Sequence, residues 1–270
     1  MKKIIYIVCC FFFFTCEDVI ELNLKTSEPK LVIDASLVWY KNTDGKSQVI
    51  RLSLTAPYYD SIIPPASGAT VMVTDTKNNT FLFLEEENTG TYKNQTFIPE
   101  INGVYTLEIT YNNEVYTASE TLMPVVPIDK VEQKNNAGFS GDEIEIKAFY
   151  TDPKSINNYY FFEFHNIDLK TSSLDVYDDL YTDGNQIFAF FSSKDLETGS
   201  ELIIQNHGIS KRFYEYMNIL LQQNNDESGD PFEVQPASLR GNCINITKPE
   251  NYPLGYFRAS EVSVYNYEVK

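Results

Sequence analysis

Cys16 carries the clearest chemical assignment in this sequence. It closes a leader in which Met1-Lys2-Lys3 is a short cationic start and Ile4 through Phe14 is wholly apolar. That run is shorter than the ~20 helical residues needed to cross a bilayer core, and it has the length of a signal-peptide core. A thiol at the cleavage point can accept diacylglycerol, so the spacing predicts cleavage before Cys16 and a lipid thioether on its sulfur. Cys9 and Cys10 sit too early in the apolar run to serve. The competing reading is an ordinary secretory signal, but no small-x-small cleavage site is present. Only Cys243 remains for the folded part, so no intrachain disulfide framework is possible there. Cys243 reads as a small buried apolar residue rather than a nucleophile.

The other groups that could do chemistry are scattered. His165 and His207 are the only histidines, and neither H-x-x-x-H nor C-x-x-C is present, so zinc has no ligand set by spacing. Asp175, Asp178, Asp179 and Asp183-Gly184 form the one acidic stretch suited to calcium, which takes oxygen ligands from flexible loops. The spacing departs from an EF-hand loop, and a solvated acidic loop is the other reading. No G-x-S-x-G and no phosphate-cradling glycine loop appear. Paired carboxylates for glycoside hydrolysis cannot be singled out among 38 acids. The expectation is a non-enzyme with no cofactor. Tyr159-Tyr160-Phe161-Phe162-Phe164 could stack sugars, but alternate residues of a strand face opposite sides and one set must be core. Tyr58-Tyr59, beside the loop 61–68, is a better exposed aromatic candidate.

The elements that position these residues read as strands. Tyr and Phe favour strands and number 19 and 18 in a 270-residue chain. Apolar, β-branched runs occupy 31–39, 49–54, 69–74, 81–84, 104–111 and 115–118, separated by polar turns such as Asn42-Thr43-Asp44-Gly45 and Lys77-Asn78-Asn79. In 104–111 the residues Tyr105, Leu107, Ile109 and Tyr111 face one way and Thr106, Glu108 and Thr110 the other. Such spacing predicts an antiparallel sandwich. Met123-Pro124-Val125-Val126-Pro127 cannot sit in a central strand and marks a boundary. Beyond it, strands are expected at 143–148, 158–165, 187–191, 202–205, 254–257 and 261–269. One helix is expected at 210–223, capped by Ser210 with Phe213, Met217, Leu220 and Leu221 as its apolar stripe. The predicted organisation is mainly β. It comprises a signal peptide at 1–15, a lipidated cysteine and tether at 16–29, an Ig-like β-sandwich at 30–123, and a larger second sandwich with the helix at 124–270.

Charge narrows the partners. Removing Lys2 and Lys3 with the leader takes the formal net charge from -17 to -19. Such a surface repels phosphate backbones and argues against nucleic-acid binding. It also argues against a polybasic membrane face.

Several segments stand in a telling order: Cys16-Glu17-Asp18-Val19-Ile20, Lys30-Leu31-Val32-Ile33-Asp34-Ala35, Ser67-Gly68-Ala69-Thr70-Val71, Tyr105-Thr106-Leu107-Glu108-Ile109, Tyr116-Thr117-Ala118 and Pro127-Ile128-Asp129. The most specific are Gly241-Asn242-Cys243-Ile244-Asn245 and Pro253-Leu254-Gly255-Tyr256-Phe257-Arg258-Ala259-Ser260. Together they resemble one family, the domain-of-unknown-function 4249 lipoproteins of Bacteroidota. Glu17 and Asp18 are similar to the acidic tag of surface-exported lipoproteins, which implies the outer face of the outer membrane, with the periplasmic leaflet as the alternative. The resemblance brings no catalytic residues with it. It implies an accessory subunit of an outer-membrane β-barrel, either a SusC-like TonB-dependent transporter or assembly machinery. The other expectation is a stand-alone glycan or nutrient binder. Tyr256, Phe257 and Arg258 are the expected docking edge for the barrel; the alternative is that this segment only shapes turns closing the second sandwich.

Overall fold

The computed structural model describes residues 28–57, 60, 62–224 and 239–270. Cys16, Glu17, Asp18 and the Tyr58-Tyr59 pair lie outside the described residues. The fold is mainly β, as the alternation predicts.

The first sandwich contains β1 (Leu31–Tyr40), β2 (Gln48–Leu54), β3 (Thr70–Asp75), β4 (Thr80–Glu85), β5 (Thr91–Asn94), β6 (Val104–Tyr111) and β7 (Glu114–Thr121). β1, β2 and β5 pair in one layer and β3, β6 and β7 in the other. β4 pairs with β5 on one side and β3 on the other, so it carries the hydrogen-bond ladder between layers. Ile33, Leu37, Ile50, Val71, Tyr92, Phe97, Leu107 and Ile109 fill the core between them. In β6, Tyr105, Leu107 and Ile109 are buried while Thr106, Glu108 and Thr110 are exposed, as their period of two requires.

The second sandwich contains β8 (Lys130–Ala137), β9 (Glu143–Thr151), β10 (Tyr159–Asn166), β11 (Thr171–Asp178), β12 (Gln186–Ser193) and β13 (Glu201–Gly208). The three-stranded sheet β12-β9-β8 packs on β11-β10-β13 through Ile146, Tyr150, Phe162, Phe164 and Ile204. Helix α1 (Lys211–Asn224) follows. Ser210 caps it by accepting a hydrogen bond from the Phe213 amide at 3.2 Å. Its apolar stripe, Phe213 and Met217, covers Phe161 on the outer face of β10.

The chain ends with β14 (Ile244–Asn245) and β15 (Leu254–Glu268), and here the expected boundary is corrected. β15 is one strand of 15 residues, not two short ones. Leu254–Val262 pairs in parallel with Val32–Tyr40 of β1, and Val262–Glu268 pairs antiparallel with His207–Glu201 of β13. β14 pairs with β7. Residues 243–262 therefore complete the first sandwich, although the expected boundary assigns them to the second. At ~3.3 Å per residue, β15 runs about 50 Å and serves both sandwiches in turn. Pairing the first strand with the last leaves no local trace in the sequence, because it depends on contacts more than 200 residues apart.

Candidate functional site

None of the three expected docking residues faces solvent. Tyr256 is 7% exposed and packs edge-on against Phe213, with ring centroids 4.9 Å apart. Phe257 is wholly buried in the first core. Arg258 lies between the sandwiches with 13% of its side chain exposed. The docking-edge expectation for Tyr256, Phe257 and Arg258 is thus corrected. β15 is an inner strand flanked by β1 and β13, and a central strand has no free edge to offer.

What Arg258 builds instead is a polar seam. Its Nε donates to Ser36 Oγ at 3.0 Å, and its Nη1 lies 3.0 Å from Nδ1 of the buried His207. A guanidinium has no acceptor, so Nδ1 must accept and the imidazole proton must sit on Nε2. Nε2 has no hydrogen-bond partner and faces Glu163 Oε1 at 3.7 Å. Burial, reinforced by the neighbouring Arg258 charge, pushes His207 well below its ordinary pKa. The imidazole is therefore neutral at pH 7, and its contact with Glu163 is not an ion pair. The ion pair is Arg258 with Glu163, at 4.0 Å. Burial raises the Glu163 carboxyl, and Arg258 partly offsets this. Nearby, Glu261 accepts from the Val125 amide at 2.9 Å and from Lys41 Nζ at 2.8 Å, pinning the proline-rich crossing to β15. The seam holds two sandwiches together.

The four expected acidic ligands divide into two pairs. Asp175 and Asp178 belong to β11, and their carboxylates accept from the Val176 and Leu180 amides. Asp179 and Asp183 instead join Asp152, which spacing alone did not indicate, with carboxylate oxygens within 4.8 Å of one another. Asp152 accepts from Tyr160 Oη at 2.6 Å and from the Gly184 amide at 3.1 Å. Asp179 accepts from the Asn158 amide at 2.7 Å, and Asp183 from the Ser155 amide at 2.6 Å. These bonds lace two loops together around the three carboxylates. The dense aromatics of β10 are also spoken for: Tyr160, Phe162 and Phe164 enter the second core and Phe161 lies under α1.

An exposed aromatic face lies on the outer side of the three-stranded sheet. Phe188 and Phe190 of β12 are 41% and 44% exposed. Phe188 pairs in register with Phe149 of β9, with ring centroids 5.3 Å apart. Lys130 lies over Phe149 and Lys147 over Phe188, at 4.6 and 4.8 Å.

The domain of unknown function DUF4249 matches residues 17–266. The chain belongs to the DUF4249 family. No curated protein matches its sequence. Three solved structures match it at low similarity. A two-domain fibronectin type-III segment of chicken tenascin is 10% identical with a TM-score of 0.22, covering 67% of this chain and 90% of that one. A DUF4785 family protein from Legionella pneumophila is 11% identical with a TM-score of 0.26, covering 66% and 51%. A cytokine receptor complex is 6% identical with a TM-score of 0.25, covering 87% and 95%. Superpositions this poor carry no argument about function.

In this DUF4249 member the two C-terminal motifs have a packing role. A Cβ on Gly241 would fall 1.6 Å from the Gly255 carbonyl oxygen, and Gly255 itself has φ +86°. Only glycines allow the two backbones to cross so closely. Asn242 then acts as a strand residue would, donating to the Phe257 carbonyl at 2.7 Å and accepting from its amide at 2.9 Å. Cys243 is buried in the first core, and burial pushes its thiol up to about 12, so it is inert. The segment after it is held by Glu114 of β7. That carboxylate accepts from Tyr116 Oη at 2.8 Å, Asn245 Nδ2 at 2.7 Å and Asn251 Nδ2 at 2.7 Å, and it pairs with Lys248 at 3.1 Å. The Tyr116 hydroxyl first, then Lys248 and the amides, hold Glu114 at about 2 despite its burial.

Proposed function

We propose that this DUF4249 member is an outer-membrane lipoprotein anchored through Cys16, with its body facing the cell exterior. Its role is that of a non-catalytic accessory subunit of an outer-membrane β-barrel, either a SusC-like TonB-dependent transporter or a machine assembling outer-membrane and surface proteins. The leader, Cys16 and the Glu17-Asp18 pair support the location. The observation that carries the role is the Phe149-Phe188-Phe190 face with Lys130 and Lys147 above it. Interface centres are rich in aromatic residues, and this is an open sheet face rather than a pocket. It sits on the second sandwich, whereas the chain arriving from Cys16 enters the first sandwich at Lys30. This arrangement supports a face turned away from the lipid surface, toward the loops of a barrel.

The test is affinity purification of the full-length lipoprotein from gently solubilised membranes, with identification of co-purifying proteins by mass spectrometry. A β-barrel protein should be recovered. Phe188→Ser with Phe190→Ser should lower that recovery by about 30-fold or more, the equivalent of ~2 kcal/mol at an interface centre. Circular dichroism should be unchanged. Wild-type protein that purifies alone would overturn the subunit role in favour of a stand-alone glycan or nutrient binder.

A further inference from the structure

The end of the first sandwich opposite the seam gathers two cations, an aromatic ring and exposed isoleucines. β1 and β15 begin there and β2 ends there, with the Lys30 amide bonded to Thr55 Oγ1 at 2.9 Å. Lys30 Nζ lies 3.2 Å from the centre of the Tyr252 ring, and the Arg240 guanidinium lies 3.9 Å from the same centre. Neither cation is paired with a carboxylate among the described residues, on a chain that carries twice as many acids as bases once the leader is removed. Beside them is a cleft of about 440 Å³ lined by Arg240, Ile244, Ile246, Pro249, Tyr252 and Pro253. Ile244 and Ile246 are 58% and 56% exposed, and Ile62 and Ile63, on the neighbouring loop after β2, are 75% and 68% exposed. Exposed isoleucines of this kind have no role in either core.

We propose that this end of the first sandwich is a membrane-contact face, on which Lys30 and Arg240 meet lipid phosphates while Ile244, Ile246 and Tyr252 enter the headgroup–acyl boundary. The proposal rests on anchoring through Cys16. Fourteen residues, Cys16 to Pro29, lead from the anchor to Lys30, and that many can reach at most about 50 Å. Lipid is therefore present at high local concentration at this end, and weak contacts suffice to orient the body. The chemistry matches a phospholipid on both counts. The two cations complement its phosphate, and the isoleucines and cleft complement its acyl region. A tyrosine flanked by Lys and Arg is the usual residue set at a bilayer interface. Glu86, Glu87 and Glu250 are exposed on adjacent loops, so this is no general basic patch. Orientation comes from the local cation pair and the apolar side chains together.

The test uses the full-length lipoprotein reconstituted into vesicles of phosphatidylethanolamine and phosphatidylglycerol. Ile246→Cys is labelled with a polarity-sensitive fluorophore, and Phe188→Cys serves as the comparison. Cys243 is buried and Cys16 is lipid-modified, so each introduced thiol is the reactive one. The label at 246 should shift to the blue and be quenched by lipids carrying an acyl-chain quencher, consistent with entry of ~5–10 Å. The label at 188 should stay aqueous. Adding Lys30→Glu and Arg240→Glu to the 246 variant should abolish the shift with circular dichroism unchanged. If both labels stay aqueous while Cys16 carries lipid, the contact face is refuted and the anchor stands. If Cys16 carries no lipid, both fall. An equal shift on adding inorganic phosphate to lipid-free micelles would refute the lipid in favour of a free-anion site. Unchanged quenching in the charge variant would refute the role of the cations.

Discussion

Replacing Arg258 with alanine separates a buried tie from a surface anchor. As a rim-exposed docking residue, Arg258 would contribute little to folding, and Arg258→Ala would stay within about 0.5 kcal/mol of wild type. The structure dictates another figure. The substitution strips the hydrogen bonds to Ser36 Oγ and His207 Nδ1, both at 3.0 Å, and leaves the Glu163 carboxylate without its cation. Each orphaned buried acceptor costs about 1–3 kcal/mol. Breaking a buried pair from one side costs about 3–5 kcal/mol in total. Glu163 retains 26% side-chain exposure, so water repays part of its loss and the lower end, about 3 kcal/mol, is expected. Urea denaturation followed by far-UV circular dichroism measures it. The pH dependence adds a second check. His207 is pushed down in the fold, so it contributes stability that is present above its ordinary pKa of 6.5 and lost as pH falls below it. Glu163 is pushed up, so its cost applies above its folded pKa and is relieved as pH falls through it. Removing Arg258 takes away a cation that opposes protonation of His207, so the loss of stability between pH 7 and 5 should become shallower. A loss under 1 kcal/mol with an unchanged pH slope would show that Arg258 is not buried at a seam and would refute this account.

Two further substitutions test other joints. Glu114→Gln should cost about 1–2 kcal/mol at pH 7. A carboxyl held at about 2 rather than 4.5 corresponds to at most ~3 kcal/mol, reduced by solvent at the rim. That contribution is present above pH 4.5 and lost as pH falls toward 2, so wild type and variant should converge in acid urea melts. Gly208→Ala places a Cβ 1.9 Å from the Pro124 carbonyl oxygen, where the proline-rich crossing passes over the end of β13. A loss of about 1–3 kcal/mol is expected, read as a lowered thermal midpoint.

The sequence made the strands legible wherever one face was wet, and hid whatever depended on distant partners. β6 alternates strictly and its bounds are read directly from Val104–Tyr111. Ser210 and the Phe213–Met217 stripe fix the helix to within one residue. β8 and β11 give no strand signal because Lys-Val-Glu-Gln-Lys and Thr-Ser-Ser-Leu-Asp carry the polar composition of edge strands, which resembles loop. β15 read as two strands because Arg258 and Ser260 interrupt its apolar pattern. Their burial depends on His207, Ser36 and Glu163, which are far away in sequence. Asp152 was invisible as a neighbour of Asp179 and Asp183 for the same reason. The glycines of the C-terminal motifs were prominent in sequence, but nothing local distinguished a backbone crossing from a docking turn.

Sharing one strand between two cores has a consequence for how the molecule unfolds. Phe257 and Ala259 close the first core, while Tyr265 and Tyr267 pack on the second, so neither sandwich is complete without β15. Releasing the strand from β1 also removes Ala259 and Glu261 from their bonds to the Met123–Val125 crossing, which strips the seam at the same time. The two halves should therefore melt together. The single Trp, Trp39, lies on β1 and reports the first sandwich by fluorescence. The near-ultraviolet circular dichroism of Tyr150, Tyr160 and Phe162 weighs toward the second. Coincident urea transitions for the two probes are expected, as for a single cooperative unit. Two separated transitions would mean that the seam yields first and works as a hinge. A hinge at that point would leave the aromatic face of β12 and β9 at no fixed distance from the anchored end, and the proposed docking geometry would lose its basis.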